Sequence, residues 1–193
     1  MAKKSSDEIV LCYYDCVLRR SDVALLQGTQ CPELTQLLKL TEPSQYNIFL
    51  DSLNALECKC VFFPLNNCES RESAGGSHWS LLLYCKEEKT CYHFDSCKGC
   101  NYAAKFARNV LNYMLGNDEP NKKFLEPNCP QQDNGYDCGL YVLCLTDIIT
   151  EYVLKTGRVS GCDYSQTKSF VSKKRAQLLH LIDELKHTES LKQ

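Results

Sequence analysis

One stretch concentrates the residue types from which catalysis can be built. It runs Gln131-Gln132-Asp133-Asn134-Gly135-Tyr136-Asp137-Cys138-Gly139-Leu140-Tyr141-Val142. The stretch is polar and loop-like as far as Asp137, then turns apolar with helical spacing. Cys138 stands at the turnover. Asn134 and Asp137 are good capping residues, so a helix is expected to start at or just after Cys138. A thiol there meets the positive end of the helix dipole, which favours thiolate. The free amides of that helix end form a ready oxyanion site. Gly139 keeps the cysteine uncrowded. Gln132, on the approaching loop, carries an amide donor that can complete an oxyanion hole. The plainer reading is a buried core cysteine, one of fourteen.

A thiol nucleophile needs a base and a group to orient it. The clearest hairpin offers both. Ser77 to Tyr84 forms one strand, Lys86-Glu87-Glu88-Lys89 a charged turn, and Cys91 to Asp95 the return strand. If Tyr84 pairs with Lys89, His78 falls opposite Asp95; if the loop shifts by a residue or two, they become diagonal neighbours. Cross-strand neighbours lie about 4.5–8 Å apart, so the side chains meet either way. A carboxylate beside an imidazole fixes its tautomer and stabilises its charged form. The bland alternative is a strand-end histidine and an aspartate that begins a turn with Ser96. His93 points to the same face as Asp95 and is a rival base by geometry. His78 is preferred because the flexible Ala74-Gly75-Gly76 segment precedes it. His180 and His187 fall in the last helix and its tail, where packing or solvent explains them.

The elements that must position these residues follow from periodicity. A weak strand covers Ile9 to Tyr14, followed by a short apolar stretch at Val23, Leu25 and Leu26. Helices are expected over Pro32 to Leu38, with Pro in the first turn, and over Ser44 to Leu53. Cys60 to Leu65 reads as a buried strand and Phe124-Leu125 as a short one. Ala103 to Leu115 is helical and closed by Gly116. The strongest helix, Leu140 to Leu154, is apolar nearly all round at its start, as a helix in the middle of a domain should be, and Gly157 closes it. Ser172 to Leu185 is amphipathic. Its basic trio Lys173-Lys174-Arg175 reads as a solvated helix start ahead of a nuclear signal.

Composition sets outer bounds. The chain has 193 residues, 44% hydrophobic and 24% charged, enough for one domain with a real core. No repeat, low-complexity tract or interdomain linker is visible, so residues 1–193 are expected to form a single domain. Net charge is -2 and the pI about 6.1, so no basic patch points to nucleic acid. No apolar run approaches the ~18 residues of a membrane span, and Ile9-Val10-Leu11 is too short for a secretory signal. The fourteen cysteines are therefore expected as reduced thiols in the cytoplasm or nucleus. Cys97-Lys98-Gly99-Cys100 is the one proper Cys-x-x-Cys pair; a structural zinc site wants a second pair, so no metal is expected.

Taken together, Gly-Gly-Ser-His78-Trp79-Ser80-Leu81, Phe94-Asp95-Ser96 and Gln132-x-Asn134-x-x-Asp137-Cys138-Gly139 resemble the motifs of the sentrin/SUMO-specific, or Ulp-type, cysteine proteases. The resemblance runs from about Pro32 to the C-terminal helix and more loosely over Ile9 to Leu26. Within the family the chain is most similar to the deneddylase branch. The resemblance implies an α+β papain-like fold, with a central mixed or antiparallel sheet flanked by helices. It implies Cys138 as nucleophile, His78 as general base, Asp95 as its orienter and Gln132 as oxyanion donor. Trp79 is implied as packing that holds the histidine edge. The implied activity is cleavage after the C-terminal Gly-Gly of a Nedd-type ubiquitin-like modifier, with no cofactor, by a monomer.

One family feature is absent. Between the first apolar segment and the helix begun by Pro32, the family carries a Trp-Leu-Asn/Asp motif whose tryptophan roofs the channel for the Gly-Gly tail. Here Leu26 leads through residues 27–31 to Pro32, and Trp79 is the only tryptophan. Two further expectations stay open: a truncated, impaired form that binds a ubiquitin-like modifier without cleaving it, and a SUMO-directed protease. Acyl transfer to a hydroxyl by the same constellation is a third, which nothing in the sequence favours.

Overall fold

The computed structural model describes residues 32–51, 55–70 and 75–190. The expected strand at Ile9 to Tyr14, the apolar stretch at Val23 to Leu26 and the abbreviated segment at 27–31 lie outside the described residues, as does His187's side chain.

Helix α1 spans Pro32–Lys39, and a 3-10 turn at Pro43–Gln45 leads into α2, Tyr46–Leu50. The second helix thus begins two residues later than the periodicity from Ser44 predicts, its first turn being 3-10, and the expected end at Leu53 lies outside the described residues. Pro43 fits the first turn of the 3-10 segment, where no amide donor is needed. Strand β1 is Cys60–Asn66, β2 Trp79–Cys85 and β3 Thr90–Phe94. Helix α3 covers Ala104–Leu115, strand β4 Lys123–Leu125, helix α4 Cys138–Thr156 and helix α5 Thr167–Ser190.

The four strands lie in sequence order, antiparallel except for the parallel pair β3–β4. The fold is α+β with a mixed sheet flanked by helices, as the family resemblance implies. Pro64 sits inside β1, which is tolerated because β1 is an edge strand.

Strand alternation divides the core into two layers. Phe62, Leu81, Leu83, Tyr92 and Phe94 face one way and pack against α4 and Leu178 of α5. Val61, Phe63, Leu65, Leu82 and Tyr84 face the other and pack against Leu38, Tyr46, Leu50 and α3 residues Phe106, Val110 and Leu111. Every residue from Cys138 to Thr146 is buried, so α4 starts deep between the sheet and α5. Its far end is closed by Gly157 in the left-handed conformation, φ 74°, which a glycine adopts without a Cβ penalty.

Nine of the described cysteines are free thiols. Against the expectation that all are reduced, Cys97 and Cys100 form a disulfide. The tight turn between them holds their Cα atoms 5.6 Å apart, within bridging range. Among the described residues no group of three His, Cys, Asp or Glu gathers for a metal, and no helix is long and apolar enough to cross a membrane.

Candidate active site

The edge of the sheet where β2 begins and β3 ends meets the first turn of α4. The register sets Cys85 opposite Thr90 and Leu81 opposite Phe94. Asp95 therefore continues toward the level of Ser80, and His78 lies diagonal to it, the second of the two arrangements the sequence allows. The His78 Nε2 is 2.5 Å from Asp95 Oδ1. Both side chains are almost fully buried, at 7% and 9% exposure, so solvent screens their attraction little.

The backbone around His78 is clamped. Asn67 Oδ1 accepts the amides of Ser77 and His78 at 2.8 and 3.1 Å, and the amide of Asn67 donates to the His78 carbonyl at 3.1 Å. Asn67 Nδ2 donates to Ser77 Oγ and to the Cys100 carbonyl. Gly76 runs so close to this clamp that a Cβ would overlap Asn66 Oδ1 and Asn67 Oδ1. The stretch expected to be flexible is thus, at Gly76, a close approach that only glycine fits. Trp79 is half-buried and packs against the α4-facing core.

Asp95 is fixed from several sides. Its Oδ1 also accepts the Cys97 amide at 3.0 Å, and its carbonyl accepts Gln131 Nε2 at 2.8 Å and the Cys129 thiol at 3.3 Å. The amide of Gln132 donates to the Ser96 carbonyl at 2.8 Å, and Ser96 Oγ donates back to Gln132 Oε1 at 2.8 Å. The loop that carries the acid and the loop that approaches Cys138 are therefore stitched together. The Ser96 bond fixes the amide of Gln132, whose Nε2 donates to the Asn134 carbonyl at 2.6 Å. A carboxamide has two donors, so one N–H remains for another acceptor.

Cys138 is the first residue of α4 and is 5% exposed. Its sulfur lies within hydrogen-bonding reach of the His78 ring. Burial by itself depresses the His78 pKa. Hydrogen bonds to Asp95 and Cys138, with the charges of both, outweigh it and raise the pKa to about 9. The rival, His93, is committed elsewhere: its Nδ1 is 2.9 Å from Glu126 and its Nε2 2.9 Å from Ser80 Oγ, on the α3 side of the sheet. His180 is exposed on α5.

Two capping expectations are corrected. Asp137 occupies the position before α4, yet no side chain caps the helix. The Asp137 carboxylate instead takes Asn134 Nδ2 at 2.8 Å and Arg175 Nη2 at 2.5 Å. Asn134 Oδ1 accepts the amides of Tyr136 and Asp137, which turns the loop without touching the helix end. The first amides of α4 are left uncapped beside buried Gly139. Arg175 belongs to the basic trio expected to be solvated; Lys174 likewise reaches Asp147 of α4 at 2.5 Å. Nothing local in the sequence signals these partners.

The arrangement has the parts for nucleophilic acyl chemistry: a thiol at a helix start, an imidazole beside it, a carboxylate behind the imidazole and unpaired amide donors nearby. The model of the Ulp1 protease family, C-terminal catalytic domain, matches residues 43–185. Mouse sentrin-specific protease 8 is 32% identical, over 93% of this chain and 94% of its own length. The NEDD8-specific protease 1 of Arabidopsis thaliana is 31% identical, over 81% and 82%. The alignment with the mouse protein spans 210 positions, more than this chain has residues, so the relative carries residues this chain lacks. Two solved structures share the fold. The Xanthomonas campestris effector XopD bound to ubiquitin has a TM-score of 0.57 at 23% identity, covering 89% of each chain. The SUMO protease Ulp1 with its catalytic cysteine oxidised to a sulfinic acid has a TM-score of 0.57 at 21% identity, covering 86% of this chain and 72% of that one. A family match across most of the chain, together with a relative aligned along nearly its whole length, establishes that this chain belongs to the Ulp1 protease family of cysteine-type peptidases.

Proposed function

We propose that the chain is a thiol protease and isopeptidase that cleaves after the C-terminal Gly-Gly of a Nedd-type ubiquitin-like modifier, releasing a tail peptide or a conjugated lysine. The observation that carries this reading is His78, held by Asp95 at 2.5 Å and within reach of the Cys138 sulfur. His78 takes the proton of the Cys138 thiol, and the thiolate attacks the glycine carbonyl. The developing oxyanion is met by the uncapped amides of α4 and by Gln132. His78, protonated, gives its proton to the leaving amine as the carbon–nitrogen bond breaks. The resulting thioester is hydrolysed by water, from which His78 takes a proton, and the thiol is regenerated. Asp95 keeps the ring turned toward Cys138 and stabilises its charged form. These steps call on no metal or organic cofactor.

The names of the sentrin-specific protease 8 and NEDD8-specific protease relatives support the Nedd-type branch. Among the described residues, nine free thiols against one local disulfide support a reducing compartment, cytoplasm or nucleus. A second reading is supported by the surplus of aligned positions in the mouse relative. On it, a form lacking the tryptophan roof binds the modifier without turning it over. Incubation with precursors of a Nedd-type modifier and of SUMO, each extended beyond Gly-Gly, separates the readings. Selective trimming of the Nedd-type precursor supports the first. Binding with no trimming supports the second, and selective trimming of the SUMO precursor overturns the branch assignment.

A further inference from the structure

Arg175 lies far along the chain from Cys138, yet it anchors the residue immediately before it. Its guanidinium binds Asp137 Oδ1 at 2.5 Å and covers the ring of Tyr136 at 5.4 Å from the centroid. Asn134 Nδ2 holds the other oxygen of the same carboxylate at 2.8 Å. With Arg175 in place the Asp137 side chain is 16% exposed, so the pair is partly shielded from solvent. The carboxylate is drawn away from α4, whose first amides no side chain caps.

A carboxylate next to Cys138 works against the reaction. The thiolate and the tetrahedral intermediate are both anionic, and an unbalanced negative charge nearby raises the energy of each. Free carboxylates also bond readily to the amides at a helix start, where the oxyanion must be received. An arginine on Asp137 counters both effects. Its planar fork holds the carboxylate in one place and its charge cancels it.

We propose that Arg175 is a positioning residue for the nucleophile: by pairing with Asp137 it neutralises the charge beside Cys138 and keeps the α4 amides open for the oxyanion. Helix α5 thereby takes part in the reaction through α4, without touching substrate. The inference rests on Cys138 as nucleophile, so its test reads the thiol directly. Iodoacetamide alkylates a thiolate without needing a modifier, and peptide mapping separates Cys138 from the other cysteines. A chain that alkylates normally but cleaves no modifier fails the functional reading and leaves this one standing.

The experiment compares the full chain with Arg175→Gln, Arg175→Gln/Asp137→Asn and Arg175→Lys, each checked for folding by its Tm. In Arg175→Gln, alkylation of Cys138 slows on the order of ten-fold. On a cleavable precursor kcat falls while KM holds, the pattern of an interaction felt in the transition state. Adding Asp137→Asn removes the unpaired charge and restores both rates to within about three-fold of the parent. A purely structural tie between α5 and α4 would not be repaired by that second change. Alkylation of Arg175→Gln at the parent rate overturns the proposal, as does a double variant as slow as the single one. Should Arg175→Gln fail to fold, Arg175→Lys decides. It keeps a cation near Asp137, so a rate within about three-fold of the parent supports the proposal. A larger loss that Asp137→Asn does not repair overturns it.

Discussion

His78 lies two residues before Ser80, the residue that would face Asp95 if the β2–β3 register ran one step further, yet its Nε2 meets the Asp95 carboxylate at 2.5 Å. The diagonal contact is possible because both residues fall just outside the paired strands. Asp95 is turned by bonds from Cys97, Cys129 and Gln131, and the His78 backbone is held by Asn67. Replacing Asp95 with Asn keeps the shape but removes the charge and can reverse the imidazole tautomer. We expect kcat to fall by roughly 10²–10⁴ with little change in KM, measured on a modifier precursor.

The raised pKa of His78, about 9, has a sign that can be checked. In the unfolded chain the histidine titrates near 6.5. The folded state holds its proton more tightly, so the stabilisation is fully present below about pH 6.5 and is lost as pH rises through about 9. Tm measured from pH 6 to 10 should fall more steeply in the parent than in Asp95→Asn. The activity profile should follow the same group. Its alkaline limb, set by loss of the imidazolium that protonates the leaving amine, should lie near pH 9 and move to lower pH in Asp95→Asn.

Gln132 is oriented by Ser96, whose hydroxyl donates to its Oε1 at 2.8 Å. Gln132→Ala removes a donor and is expected to lower kcat on the order of 10²-fold while KM holds. Ser96→Ala leaves the donor in place but free to turn, so a smaller loss in the same direction is expected. Equal kcat values for Gln132→Ala and the parent would leave the α4 amides as the whole oxyanion site.

Gly76 tests the link between packing and chemistry. A methyl group there overlaps both Asn66 Oδ1 and Asn67 Oδ1 and crowds the backbone nitrogen of Cys68 at 2.8 Å. Neither asparagine is idle, since Asn66 Oδ1 accepts the Cys68 amide and Asn67 Oδ1 the amide of His78. Gly76→Ala should cost about 1–3 kcal/mol by denaturant unfolding and should lower kcat by displacing His78.

Much of this site is legible in the sequence because its signals are local. The change from polar loop to apolar helix at Cys138, the hairpin that carries His78 and Asp95, and the glycine that ends α4 are each contained in a few adjacent residues. The hairpin register was open because a four-residue turn can begin at either of two neighbouring residues; in the fold Cys85 faces Thr90 across Lys86–Lys89. The partners of Asp137 were not legible. Asparagine, aspartate and a cysteine at a helix start suggest capping, whereas the fold brings Arg175 from α5 to claim the carboxylate. The same limit hid the other side of the β2–β3 turn, where Glu88 accepts the amides of Val159 at 2.7 Å and Ser160 at 3.1 Å. Contacts between residues so far apart depend on packing that no short window of sequence contains.

On the proposed function, Cys138 is a nucleophile poised for a carbonyl after Gly-Gly. The most direct measurement is covalent capture by a Nedd-type modifier whose C-terminal glycine is replaced by an electrophile, followed by peptide mapping of the adduct. One adduct is expected, on Cys138, formed by the full chain, slowed in Asp95→Asn and absent in Cys138→Ala. No adduct with the full chain, or an adduct that persists in Cys138→Ala, would contradict it.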